Sequence, residues 1–199
     1  MDLQMPEEKH QVYCESIARD AQRGEWTSLL ISSFFLNENF EENISTITYD
    51  FSFNDEVPTH VTGTGLGIID ALFNSLGTHL SGRFSSLSQL EFRDFSVKVN
   101  FNHTRRPSKT DASVEVCLVI STSPFYETYF RHKSTSLVSA SVEAVRKSIE
   151  YFINLEQAFF ILRENVELAR VRDREDLIIE NSNKIVEIVK IISFEEVLK

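Results

Sequence analysis

The sequence predicts an α+β fold of two βββα units, flanked by an N-terminal helix and a C-terminal helical extension. Three observations lead there. Several segments alternate apolar and polar residues with a period of two, as half-buried strands do. Each set of three such segments is followed by apolar residues at helical spacing. The order strand, strand, strand, helix occurs twice, over residues 26–82 and 91–153, which is the pattern of an internal duplication. One helix per apolar sheet face lets two such units cover each other about a pseudo-twofold axis.

Taken in order, residues 6–23 suit a helix. Pro6 fits a first turn, Glu7 and Glu8 favour its dipole, and Gly24 suits its stop. Val12, Ile17 and Ala21 form a loose apolar stripe. Residues 27–36 are β-branched and aromatic. In residues 44–53 the set Ser45, Ile47, Tyr49, Phe51, Phe53 is mostly apolar and alternates with polar residues. Asn54-Asp55-Glu56 marks a turn, and residues 57–63 a third strand. A glycine-bearing loop, Gly63-Thr64-Gly65-Leu66-Gly67, leads into a helical stripe of Ile68, Ile69, Ala71, Leu72, Leu76 and Leu80. In the second unit Phe95, Val97, Val99 and Phe101 alternate with Ser96, Lys98 and Asn100. After a polar loop over 103–111, residues 112–121 form a strand apolar on both sides, expected to be buried on both faces, and 128–132 a third. Leu137, Ala140, Ala144, Val145, Ile149 and Phe152 mark the closing helix. Asp70-Ala71-Leu72 then falls opposite Ser139-Ala140-Ser141. From residue 154 the chain stays helical to 199, through Leu155, Phe159, Leu162, Val166 and Ala169, a charged stretch at 170–176, and a stripe of Ile178, Ile185, Val189 and Ile192. This extension either packs on its own domain or serves as a docking arm. The expected divisions are thus 1–25, 26–153 and 154–199.

Composition narrows the function. The net charge of −10 argues against binding a nucleic-acid backbone, which needs clustered Lys and Arg. Arg105, Arg106 and Lys109 are the short basic cluster, in a loop. Cys14 and Cys117 form no CxxC, and Cys117 in its apolar run is expected to be a buried core thiol. His10, His60, His79, His103 and His132 are scattered, without HxH or HExxH, so no metal site is expected. No basic and apolar leader and no 18-residue apolar run is visible, so a cytoplasmic chain without membrane contact is expected. No cofactor motif is found.

The GTGLG turn is neither a P-loop, since no Lys-Ser or Lys-Thr follows Gly67, nor a dinucleotide fingerprint. It suits a strand-to-helix turn needing positive φ, or close backbone approach by a ligand carboxylate to helix N-terminal amides. Asp70 opens that helix. It complements the helix dipole, organises the loop or meets a ligand. No G-x-S-x-G elbow is present.

The run Gly65-Leu66-Gly67-Ile68-Ile69-Asp70-Ala71-Leu72 resembles the G-x-G-P-V-D-A-hydrophobic signature of the C-terminal regulatory domain of 2-isopropylmalate and citramalate synthases. Phe92-Arg93-Asp94-Phe95-Ser96-Val97 is similar to that family's hydrophobic-x-Asp-Tyr-x-Val strand. Asp111-Ala112 resembles its strand start, and Ser139-Ala140-Ser141 through Ser148-Ile149-Glu150-Tyr151 its closing helix. The resemblance spans about residues 28–153. Ile68 replaces the family's Pro, and Phe95 its Tyr, which removes a hydroxyl.

The resemblance implies a homodimer that binds leucine or isoleucine between subunits and regulates a synthase of branched-chain amino-acid biosynthesis. Backbone amides of Gly65 and Gly67 would hold the carboxylate. Asp94 would meet the ammonium group or orient the loop. Leu66, Ile68, Phe95 and Val99 would line the apolar pocket. The family's catalytic (β/α)8 barrel needs about 250 residues and its metal-binding HxH is missing here, so no catalysis by this chain is expected. The competing expectations are a scaffold that kept the fold without the ligand, and a subunit completing a synthase in trans.

Overall fold

The computed structural model describes residues 7–54, 56–101, 112–123 and 126–192. Pro6, Asp55 and the polar loop with Arg105, Arg106, Pro107, Lys109 and Asp111 lie outside the described residues. The elements run α1 (Glu7–Ala21), β1 (Leu29–Asn39), β2 (Ile44–Phe53), β3 (Thr59–Gly65), α2 (Ile68–Leu80), a 3-10 turn (Ser85–Gln89), β4 (Glu91–Phe101), β5 (Ala112–Ser123), β6 (Tyr126–Ser134), α3 (Leu137–Val171) and α4 (Glu175–Ile191). The architecture is the α+β one expected: two three-stranded antiparallel sheets, β1-β2-β3 and β4-β5-β6, each followed by a helix.

The duplication is legible residue by residue. Ile31 pairs with Phe51 and Phe92 with Ile120; Phe34 pairs with Tyr49 and Phe95 with Leu118. Val61 faces Tyr49 as Phe130 faces Leu118, and Gly65 faces Ser45 as Ser134 faces Val114. From β2 to α2 each residue keeps a constant offset of 69 positions from its counterpart (51 to 120, 65 to 134, 71 to 140). Both first strands also carry a bulge at the same place, between Ile31 and Ser33 and between Phe92 and Asp94. A bulge sharpens local twist.

Alternation decides which face is buried. Ile47, Tyr49, Phe51 and Phe53 of β2 point inward, and α2 lays Ile69, Leu72, Phe73, Leu76 and Leu80 in the same core. In β5 the inward set is Val116, Leu118 and Ile120. The expectation that β5 is buried on both faces is corrected: Cys117 and Val119 are only half-buried, on the outer face. Cys117 is therefore not a core thiol. Cys14 is the fully buried one.

The α1 stripe is also corrected. His10, Cys14, Ile17 and Ala18 face inward, while Val12 is exposed. A reading that counted only apolar residues skipped His10 and so lost the phase. The helix ends in a Schellman motif: Gly24 N–H donates to Arg19 O at 2.9 Å and Arg23 N–H to Asp20 O at 3.1 Å. Arg23 (φ 54) and Gly24 (φ 84) both take positive φ there. The Gln11 carboxamide accepts from Tyr129 N–H (2.8 Å) and donates to Tyr129 O (3.1 Å). It thereby satisfies backbone groups on the outer edge of β6, as a neighbouring strand would.

Helix α3 runs through the expected 153/154 division as one helix. Leu155, Ala158, Phe159 and Leu162 are part of the common core. Arg174 N–H to Ala169 O (3.0 Å) and Asp173 in positive φ close α3 with a second Schellman motif. The chain then doubles back. α4 buries Ile188, Ile191 and Ile192, with Ile185 packed against them. The extension thus packs on the rest of the chain through its described residues, 154–192. The expected stripe is out of phase at Val189, which is exposed.

Buried polar groups on α3 join distant segments. Glu150 accepts from Leu29 N–H (2.6 Å) and Ser28 Oγ (2.9 Å) and pairs with Arg146 (2.6 Å). Asn154 clamps Thr27, accepting from its N–H (2.9 Å) and donating to its carbonyl (2.8 Å). Glu156 accepts from the N–H and Oγ of Ser85 (3.1 and 3.0 Å) and of Ser86 (3.0 and 2.6 Å), capping the 3-10 turn.

Glu156→Ala strands four donors, two of them half-buried on Ser85 and two buried on Ser86, and is expected to cost about 2–4 kcal/mol, with Glu156→Gln intermediate. Urea unfolding at constant slope measures it. An unchanged midpoint would mean that the turn is capped by solvent instead.

Candidate functional site

The expected site residues come from two segments, the β3–α2 junction and β4. At the junction the glycines act through space rather than through φ. A Cβ at Gly65 would sit 2.5 Å from Ala71 N and 2.6 Å from Asp70 Oδ2; one at Gly63 would sit 2.6 Å from Ser75 Cβ and 2.9 Å from Ala71 O. Both glycines belong to β3 and its close contact with α2, so the strand runs two residues past its expected end at Gly63 and takes in Gly65, expected in the loop. The expected positive φ is not found: Gly24 is the glycine with positive φ among the described residues. Gly67, the N-cap of α2, has extended φ (−174°) and open space around it.

The first turn of α2 has an uncapped end. Gly67 offers no side chain to the first-turn amides, which are orphan donors of partial positive charge. Asp70 reaches back instead, accepting from Leu66 N–H (2.9 Å) and from Asn74 Nδ2 (2.7 Å). Asp70 stands at the third position of the helix, but it holds the N–H of the residue before the N-cap, not that of Gly67 as a capping box would. Of the three roles open to Asp70, organising the loop is the one the geometry supplies. Ile68 is half-buried, and Leu66 is 84% exposed.

Asp94, Phe95 and Val99 lie on β4, an edge strand paired only to β5 in its sheet. Phe95 and Val99 sit on the helix-facing side, because they pair with Leu118 and Val114. Asp94, opposite Val119, faces outward. Phe95 is 38% and Val99 46% exposed. The two segments approach where Phe73 of α2 meets Phe92 of β4, with ring centroids 6.3 Å apart.

The duplication adds to this. Between the two units a cleft of about 300 Å³ lies at the β1 bulge and the start of α3, lined by Ile31, Ser33, Phe34, Ser136, Ser139 and Val142, among others. Their counterparts in the repeat are Phe92, Asp94, Phe95, Gly67, Asp70 and Phe73. Four expected site residues therefore occupy positions equivalent to the walls of one cleft. The chemistry at the two places differs. Ser136 caps α3, its side chain accepting from Ser139 N–H at 3.3 Å, whereas Gly67 leaves α2 open.

Two further clefts have other linings. One of about 300 Å³ lies between β3 and α2, lined by Val61, Gly63, Asn74, Ser75, Thr78 and His79. Another of about 800 Å³ is lined by Gln22, Trp26, Thr27, Gln157, Phe160 and Ile161, among others.

Two polar clusters escaped the sequence reading because their members are distant in the chain. On the outer face of the first sheet Asp50 accepts from Ser33 Oγ (2.5 Å) and pairs with His60 Nδ1 (2.7 Å). These hydrogen bonds, from Ser33 first and His60 second, lower the Asp50 carboxyl below its usual range. The carboxylate stands between serine and histidine, so the imidazole cannot take the serine proton as a nucleophilic triad requires. At the α1–α4 junction His10 bridges Tyr126 OH (2.5 Å) and Glu187 (2.7 Å), with Cys14 Sγ 3.5 Å from its Nε2. Burial, then the nearby Glu187 charge, pushes the Cys14 thiol up to about 12, so it is no nucleophile at neutral pH. Among the described residues no group of three or more His, Cys, Asp or Glu is placed to hold a metal ion. No helix among them is long and apolar enough to cross a membrane.

Gly65→Ala is expected to destabilise by about 1–3 kcal/mol, because backbone must move, while Gly67→Ala stays within about 0.5 kcal/mol. Thermal melts of both variants decide, and equal losses would contradict the close-approach account. In the native chain, thiol alkylation near neutral pH is expected to modify half-buried Cys117 well before Cys14, as peptide mapping would reveal. The reverse order would mean that α1 opens readily. In comparison with known proteins no family model matches the chain, and no curated protein matches it.

Proposed function

We propose that this chain is a non-catalytic binding module: a homodimer that takes leucine or isoleucine at the α2–β4 junction and thereby regulates a synthase catalytic unit. The carrying observation is the equivalence just described. Gly67, Asp70, Asp94 and Phe95, singled out from two separate stretches of sequence, have counterparts that wall a single cleft. The chemistry is suited to an amino acid. Uncapped first-turn amides of α2 attract a carboxylate, Asp94 supplies a negative charge for an ammonium group, and Ile68, Phe95 and Val99 supply apolar surface. The reading also rests on the resemblance to the regulatory domain of 2-isopropylmalate synthases, whose duplicated βββα plan this chain shares. Both described sheets are antiparallel, unlike the parallel barrel of such a synthase, so in this reading catalysis belongs to a separate unit. The setting in this proposal is the cytoplasm.

A second reading is favoured by one observation. Leu66 is 84% exposed, and Asp94, Phe95 and Val99 are exposed as well, so one chain alone encloses no ligand. A scaffold that kept the fold and lost the ligand would present the same surface.

Thermal melts with leucine, isoleucine and valine separate the two. A ligand at a hundred times its dissociation constant adds about 2.7 kcal/mol, which raises the melting temperature by several degrees. A shift with one amino acid supports the sensor. No shift with any supports the scaffold.

A further inference from the structure

The two outer strands of the second sheet are treated differently. The edge of β6 is covered by α1, through the Gln11 clamp on Tyr129. The edge of β4 is paired with no strand and clamped by no helix among the described residues. Every β4 residue whose side chain is described is exposed. Phe95, Val97 and Val99 remain 38–46% exposed on the helix-facing side, although Leu118 and Val116, their partners on β5, are fully buried. A long apolar edge of this kind pairs with another strand unless something blocks it.

We propose that β4 pairs antiparallel with β4 of a second copy, about a twofold axis at Ser96, joining the two second sheets into one six-stranded sheet. The charges select this partner and this register. Asp94 and Lys98 lie on the outer face with Ser96 between them, since the face alternates along the strand. Glu115 stands opposite Lys98 on β5, yet neither Asp94 nor Lys98 makes an ion pair among the described residues. An antiparallel pair of identical strands keeps faces matched only when the axis passes through a residue. Centred on Ser96, Asp94 meets Lys98 of the second copy and Lys98 meets its Asp94, while on the inner face Phe95 meets Val97 twice. Centred on Phe95 or Val97, each charge meets a neutral residue. Centred on Asp94 or Lys98, like charges meet. Cross-strand opposite charges and aromatic–β-branched pairs both favour association, and like charges oppose it.

The proposal rests on the dimer in the reading above and specifies the surface that forms it. It needs no ligand. The test uses two full-length variants, Asp94→Lys and Lys98→Asp, followed by sedimentation velocity. Alone, each sets like charges opposite at both pairs, and its dimer dissociation constant is expected to rise roughly tenfold or more. Mixed in equal amounts they form a heterodimer in which both pairs are again attractive, so association returns. Misfolding cannot be rescued by mixing, and Asp94→Arg with Lys98→Glu is a second such pair. A monomeric wild-type chain overturns the pairing. So do single variants that associate like wild type, or a mixture no better than its parts. Amino-acid melts on the wild-type chain, in which Asp94 is intact, report separately on ligand binding. A dimer with the mixing rescue and no amino-acid shift would retain the pairing and remove the sensor. A shift with a dimer indifferent to these charges would do the opposite.

Discussion

The buried polar face of α3 holds the two halves together. Glu150, Asn154 and Glu156 are each less than one-tenth exposed, and a buried carboxylate is tolerated only when its lone pairs are met. Each meets backbone donors from another part of the chain. Glu150 fixes the start of β1, Asn154 fixes Thr27 just before it, and Glu156 caps the turn that leads into β4. Both first strands of the duplicated sheets are therefore launched from one helix. Apolar contacts between helix and sheet are non-directional and would allow sliding, whereas these hydrogen bonds set register and angle.

Within that frame one group of differences between the repeats falls at the strand-to-helix junction. Where the second unit has His132, Ser134 and Ser136, the first has Gly63, Gly65 and Gly67. Losing the side chains at Gly63 and Gly65 lets α2 close on β3. Losing the cap at Gly67 exposes first-turn amides. Asp70 keeps the tightened turn in order by holding Leu66 N–H. One copy of the junction thus has a satisfied helix end, and the other an end with donors to spare. That asymmetry separates a packing junction from a candidate anion site.

Much of this was legible in residue patterns. Period-two alternation located β2 and β4, and the match of Asp70-Ala71-Leu72 with Ser139-Ala140-Ser141 gave the repeat its offset. The failures have identifiable causes. Counting only apolar residues mis-phased α1, because His10 and Cys14 are inside for their hydrogen bonds as well as their bulk. Cys117 was misplaced because β5 carries apolar residues on both faces, and composition does not say which face a helix covers. The glycines were assigned to φ when their reason is a neighbour: Ala71 and Ser75 stand where a Cβ would be.

By itself the sequence determined the order and type of the elements, the duplication, and the inward face of strands that alternate strictly. These follow from local periodicity, which each segment carries alone. The tertiary structure decided what no segment carries alone. It decided that α3 runs unbroken past residue 153 into the core, that α4 folds back onto α1 through His10 and Glu187, and that Asp50 gathers Ser33 and His60. It also decided that, among the described residues, α1 clamps the edge of β6 and nothing clamps that of β4. Each of these depends on which surfaces remain after distant elements have packed, because burial and hydrogen-bond partnership are properties of the assembled chain.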